Sequence, residues 1–149
     1  MKRRMVSLWL PALLWMAVIF IGSHQQSLPT PHSSALDLLI KKSGHILEYG
    51  ILGLLLWRAC RGSYGLVTVQ RKGILQAQSI SVAYDTPAPL ASAVVLGALY
   101  ALSDEVHQRF VPTRTGNLRD VAIDITALSA AVILAWLWQR YRSRPPGQL

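Results

Sequence analysis

Lys42, His45, Glu48 and Tyr49 stand at spacings that put all four on a single face if the segment is helical. A base, an imidazole, a carboxyl and a phenol along one stripe are suited to proton exchange and to binding a polar ligand. A second concentration follows in YALSDEVHQRFVPTRTGNLRDVAID, residues 100–124, where Asp104, Glu105, Asp120 and Asp124 sit with three arginines and a histidine between two aliphatic runs. Arg114, with Arg119 or Lys42 nearby, offers donors for a phosphate or a carboxylate. The candidate catalytic groups are therefore His45, Glu48, Asp104, Glu105 and Asp124. Lys42, Tyr49, Gln108, Arg114 and Asp120 complete the candidate ligand-binding set.

Each position also has a plainer explanation. Asp104 and Glu105 follow a short apolar run, so they fit the solvated end of a helix, with Tyr100, Asp104 and Gln108 on one face and Glu105 beside Arg109 on the next. In GNLRD, Asn117 can cap a helix with Asp120 at its third position, an approximate capping box. Capping does not extend to Asp124, one turn further in, and an acid inside a membrane marks a site by default. A lone histidine on an apolar helix is ordinarily a packing residue, but His45 shares its stripe with Glu48. His45, Glu48, Asp104, Glu105, His107, Asp120 and Asp124 include enough ligands for a divalent ion, yet no zinc-type spacing is present and the arginines repel cations. Neither a metal nor a cofactor is expected. Gly-x-Ser-x-Gly is absent, and Ser103 beside Asp104 is too ordinary to be a nucleophile.

The elements that must position these groups are membrane helices. The 149 residues are 52% hydrophobic and only 15% charged, with a mean hydropathy of +0.33, too apolar for an ordinary soluble domain of this size. Four apolar runs, each extendable to the roughly 20 residues that cross a bilayer, place helices over 1–22, 43–60, 88–108 and 118–140. The expectation is an all-α membrane protein of about four transmembrane helices in one bundle, forming a single domain. Lys2, Arg3 and Arg4 ahead of the first run resemble a signal peptide, but IGSHQQS lacks the small-residue pair a signal peptidase reads, so the segment is taken as a retained helix.

Basic residues divide 10 to 5: Lys2, Arg3, Arg4, Arg58, Arg61, Arg71, Lys72, Arg140, Arg142 and Arg144 against Lys41, Lys42, Arg109, Arg114 and Arg119. The positive-inside rule puts the larger group, and both termini, in the cytoplasm. Contacts with anionic lipid account for the net charge of +8 without nucleic acid, for which no recognition element is present. Cys60 is the single cysteine, so no disulfide forms within the chain. Two prolines and the serines of SLPTPHSS mark an outer loop from Gly22 to about Ser43. An inner loop from about Arg61 to Thr86 alternates weakly, as a hairpin or a surface-lying segment would.

KSGHILEYGILGLLLWRA, taken with the 100–124 stretch, resembles the VanZ-like family of small bacterial membrane proteins, named for a protein linked to teicoplanin resistance. Lys42, His45 and Tyr49 match its Lys-x-x-His-x-x-x-Tyr element, with Glu48 as in one large branch. Asp104, Glu105, Gln108, Phe110, Pro112 and Arg114 match an Asp-Glu-x-x-Gln-x-Phe-x-Pro-x-Arg element, and Asp120 matches the acid that opens the last helix. Thr113 replaces the usual glycine, which bears on a tight turn there, and Thr126 and Ala127 stand where a small glycine usually permits close packing. The resemblance implies a multi-pass protein of the bacterial cytoplasmic membrane with an envelope role, and it names no substrate.

Two readings of function follow. In one, the second to fourth helices gather their outer ends around a polar site that binds or modifies an anionic envelope lipid or cell-wall precursor headgroup, each charge meeting a counter-charge from another segment. In the other, the same groups form an interhelical network in a non-catalytic structural or accessory protein. A proton- or cation-coupled carrier needs acids nearer the midplane. Membrane lipids are the expected partners, with no nucleic acid; oligomeric state is not encoded in any visible pattern.

Overall fold

The computed structural model describes residues 2–24, 35–72, 87–112, 114 and 116–143; of 35–41 and 66–72 it describes the backbone alone. Regular structure among the described residues is entirely helical: α1 (Lys2–His24), α2 (Ala35–Lys72), α3 (Ala88–Gln108) and α4 (Leu118–Arg142). α2 packs against each of the other three helices, and α3 packs against α4 and, less extensively, α1.

Cross-helix contacts give the direction of each element. Trp9 near the start of α1 donates its indole N–H to Ser63 near the end of α2 at 2.9 Å, whereas Ser23 at the end of α1 reaches Asp104 at the end of α3. Lys42 and His45 of α2 meet Asp120 and Asp124 at the start of α4. The chain therefore runs up, down, up and down, which brings the first residues of α1 and the last of α4 to the same end of the bundle.

α1, α3 and α4 are each long and apolar enough to cross a membrane. α2 is longer, 38 residues or about 57 Å at 1.5 Å per residue, but His45, Glu48, Tyr49 and Arg58 dilute its apolar stretch. The other three helices compensate by covering it: Tyr49, Leu52, Leu56, Trp57, Ala59 and Cys60 are all buried. Large apolar side chains instead face outward, among them Leu14 of α1, Leu99 of α3 and Leu134 of α4, each more than half exposed. Asp104, Glu105, Gln108 and Asp124 are buried. Apolar outside and polar groups inside is the distribution a bilayer imposes, because lipid offers no partner to a polar side chain. The protein is an all-α membrane protein.

Helix limits follow local chemistry at α3 and α4. Pro87 and Pro89 open α3, where their missing N–H groups are not needed. Short backbone bonds from Arg109, Phe110 and Val111 back to Val106, His107 and Gln108 tighten its end before Pro112. Asn117 caps α4 by accepting the Arg119 N–H at 3.0 Å.

α2 departs from its expected limits of 43–60. It begins at Ala35, inside the expected outer loop, and continues through Arg61 to Lys72, inside the expected inner loop. Lys41, Lys42, Arg58 and Arg61 mark where apolar character ends, but lysine and arginine are good helix formers and a helix need not stop at the membrane surface. The hairpin or surface segment expected for the inner loop is thus helical up to Lys72, and the rest, 73–86, lies outside the described residues. Thr113 lies outside them too.

Leu128 is fully buried and closely packed. A Cβ on Gly53 would stand 2.8 Å from the Leu128 carbonyl oxygen, and one on Gly97 would overlap its Cδ1. The small residues that admit this close approach come from α2 and α3, and Thr126 itself is exposed.

Candidate functional site

Polar groups converge where α1 and α3 end and α4 begins, beside the first half of α2. Asp104 lies deepest, at 2% exposure. Its Oδ2 accepts three hydrogen bonds, from Ser23 Oγ at 2.8 Å, Gln108 Nε2 at 3.0 Å and Tyr49 Oη at 3.4 Å. Its Oδ1 is buried and accepts none. Gln108 Nε2 also reaches Ser23 Oγ at 3.3 Å. The expected shared face of Tyr100, Asp104 and Gln108 turns toward α1: Tyr100 donates its hydroxyl to the Met16 carbonyl at 2.6 Å.

A second set joins α2 to α4. His45 Nδ1 stands 3.2 Å from Oδ1 of Asp124, itself 1% exposed. One turn nearer the helix ends, Lys42 and Asp120 form an ion pair, partly open to solvent. Both rungs arise because the polar positions of α2 and α4 repeat at nearly the same interval and the helices run parallel.

Glu48 lies between the two sets. It is partly exposed, and its carboxyl is within electrostatic reach of His45, Asp104, Asp124 and Arg114. Its backbone carbonyl accepts the Trp15 indole N–H at 2.9 Å, which fixes this turn of α2 against α1.

Adjacent in sequence, Asp104 and Glu105 serve different neighbours. Successive helical residues point about 100° apart, so Glu105 turns from α1 toward the loop before α4, where its Oε1 accepts the Asn117 backbone N–H. Gly116 lies against the same turn, its Cβ position 2.6 Å from the Glu105 carbonyl oxygen. The capping box therefore closes differently from the sequence expectation: Asn117 caps α4, but Glu105 takes the cap N–H and Asp120 turns to Lys42.

Arg114 reaches the same end of the bundle from the loop. Its Nη1 donates to Gln108 Oε1 at 3.4 Å and its Nη2 to the Gly22 carbonyl at 3.2 Å, in the last turn of α1, where helical carbonyls lack partners. Gln108 thus relays between Arg114 and Asp104. Arg119 is exposed.

Counter-charges from other segments account for Lys42, His45, Asp120 and Asp124, but not for the whole set. Asp104 takes its hydrogen bonds from neutral hydroxyl and amide groups, and Glu105 from a backbone amide. α1 is the contribution that spacing within the two polar stretches does not reveal. Ser23 is 81 residues from Asp104, and its only signal is a buried hydroxyl position at the end of an apolar run. His24 and His107 are 3.4 Å apart at their nearest nitrogens, with Phe20 stacked on His107 at the exposed rim. Among the described residues, no three His, Cys, Asp or Glu side chains converge as a metal centre requires.

No curated protein and no solved structure matches the chain significantly. The sequence profile described as VanZ/LLP1 matches residues 8–139, from the first turns of α1 nearly to the end of α4 and so through every polar contact of this site. With that match covering most of its length, the chain belongs to the VanZ/LLP1 family.

Proposed function

We propose that this protein binds an envelope lipid by its headgroup, at the polar site formed where α2, α3 and α4 meet the outer face of a bacterial cytoplasmic membrane. The observation that carries the reading is Asp104. Its carboxylate is almost wholly buried in a membrane protein, yet one oxygen has no donor while the other has three. An unsatisfied buried acceptor is destabilising by about 1–3 kcal/mol, more when charged. Its retention fits a group whose missing donor arrives with a ligand.

Orientation rests on charge. The opposite end carries Lys2, Arg3, Arg4, Arg140 and Arg142, with Trp138 and Tyr141 exposed beside them, as suits an anchor at the cytoplasmic surface. Arg114 and Arg119 lie on the loop and helix start that border the polar site, where a headgroup phosphate would find donors. We extend the proposal to a link with glycopeptide resistance, teicoplanin included, on the strength of the family's namesake alone; a headgroup site facing outward fits it.

One specific observation favours the scaffold reading: Ser23, Tyr49, Asp104 and Gln108 tie α1, α2 and α3 together, while Lys42–Asp120 and His45–Asp124 tie α2 to α4. Native mass spectrometry of the detergent-purified protein separates the two readings. A lipid of one headgroup class retained at one per chain supports the site. Retention in proportion to the lipids of the host membrane supports the scaffold.

A further inference from the structure

We infer that the headgroup taken by this site carries a primary ammonium group, whose protons are accepted by Oδ1 of Asp104 and by the carboxyl of Glu48. The inference rests on the headgroup reading above and narrows it to one chemistry.

The acceptors are the starting point. At this end of the bundle Lys42 is engaged by Asp120 and His45 by Asp124, while Glu105 holds the Asn117 amide. Two acceptors are left open. Oδ1 of Asp104 is buried and has no hydrogen-bond partner, and the Glu48 carboxyl takes no hydrogen bond from the described residues. The two acids lie within electrostatic reach of each other and of Asp124, and Glu48 also of His45 and Arg114. Every donor to Asp104 is neutral: a serine hydroxyl, a tyrosine hydroxyl and a glutamine amide. These donors orient one oxygen of the carboxylate and leave its charge uncompensated by direct contact.

Asp104, whose direct donors are all neutral and whose Oδ1 has none, favours a cation carrying N–H donors over an anion. An ammonium group supplies three donors on a compact centre, so it can satisfy Asp104 Oδ1 and Glu48 together. A calcium-like ion needs six or more oxygens, and no such ligand group is gathered among the described residues. Glu48 is partly exposed and Asp104 is buried, so an incoming amine would meet Glu48 first. The anionic part of the same headgroup then falls toward the loop that carries Arg114.

The test titrates the full-length protein in detergent with short-chain phosphatidylethanolamine, phosphatidylcholine and phosphatidylglycerol of identical acyl chains, reading occupancy by native mass spectrometry. Phosphatidylcholine keeps the positive charge without N–H donors, and phosphatidylglycerol offers hydroxyl donors without the charge. Phosphatidylethanolamine should bind at least about tenfold more tightly than either, roughly the contribution of one charge-assisted hydrogen bond. Glu48→Gln, which removes no interhelical side-chain bond, should erase that preference while keeping thermal stability; Asp104→Asn should do the same if it folds. Equal or tighter binding of phosphatidylglycerol, or a preference surviving Glu48→Gln, overturns the ammonium assignment and leaves the headgroup site standing. Failure of all three lipids to bind overturns the headgroup reading itself. Phosphoethanolamine, which has no acyl chains, should compete only far above the lipid concentration; competition at equal concentration assigns the site to a soluble amine and overturns its lipid source.

Discussion

His45 Nδ1 and Asp124 Oδ1 face each other across the α2–α4 interface at 3.2 Å, with the Lys42–Asp120 pair one turn nearer the helix ends. The two contacts form a ladder between parallel helices. Its inner rung is the drier one, since Asp124 is 1% exposed whereas both members of the outer rung keep some contact with solvent. The inner rung therefore carries more of the energetic coupling between α2 and α4, because screening weakens an exposed pair.

Coupling across the inner rung is measurable by a double-mutant cycle. His45→Ala and Asp124→Ala should each destabilise the protein, and the double variant should lose less than their sum, with an interaction energy of about 0.5–2 kcal/mol. Unfolding in mixed micelles supplies the four stabilities. Strict additivity contradicts the contact.

Gly50 and Gly53 provide a paired test of helix packing. A Cβ at Gly50 meets nothing within 4 Å, while one at Gly53 meets the Leu128 backbone oxygen at 2.8 Å. Gly50→Ala should be neutral or stabilising by up to about 1 kcal/mol through helix propensity. Gly53→Ala should cost about 1–3 kcal/mol, since a backbone oxygen cannot turn aside as a side chain can. Equal melting temperatures for the two variants contradict the close approach of α2 and α4.

Glu105 serves the fold through one acceptor oxygen. Glu105→Gln keeps an oxygen for the Asn117 amide and should change stability little, whereas Glu105→Ala leaves that amide unpaired and should cost about 1–3 kcal/mol. Hydrogen exchange at the first turn of α4 reports the loss locally. A larger effect from Gln than from Ala would contradict this role.

What could be read from the sequence, and what could not, divides by the range of the interaction. Four helices, their apolar character and the Lys42, His45, Glu48 and Tyr49 stripe follow from spacing within about twenty residues. Ser23 is different: nothing in IGSHQQS announces a partner 81 residues away, because that contact depends on how α1 packs against α3. Asp104 and Glu105 share a chemistry and a neighbourhood in sequence, yet helical rotation sends one to α1 and the other to the cap of α4. The ends of α2 were obscured because charge marks the limit of an apolar run, and backbone hydrogen bonding does not stop there.

The proposed topology rests on the division of basic residues and the up-and-down course of the helices. Reporter fusions at both termini should read as cytoplasmic, and a tag inserted at Gly116 or Asn117 should be reached from outside intact cells. One terminus found outside contradicts the proposed orientation.

The most direct test of a ligand site, as opposed to a scaffold, is lipid retention in Arg114→Lys. Arg114 sends separate nitrogens to Gln108 Oε1 and the Gly22 carbonyl, and lysine keeps the charge without the planar fork. Native mass spectrometry and a thermal melt are read on the same preparation, with Arg142→Lys at the opposite end as control. Arg114→Lys should lose the bound headgroup lipid while its melting temperature stays close to that of the parent and of the control. Lipid retained at the parental level, or a melting temperature that falls together with occupancy, rules out a ligand site at Arg114.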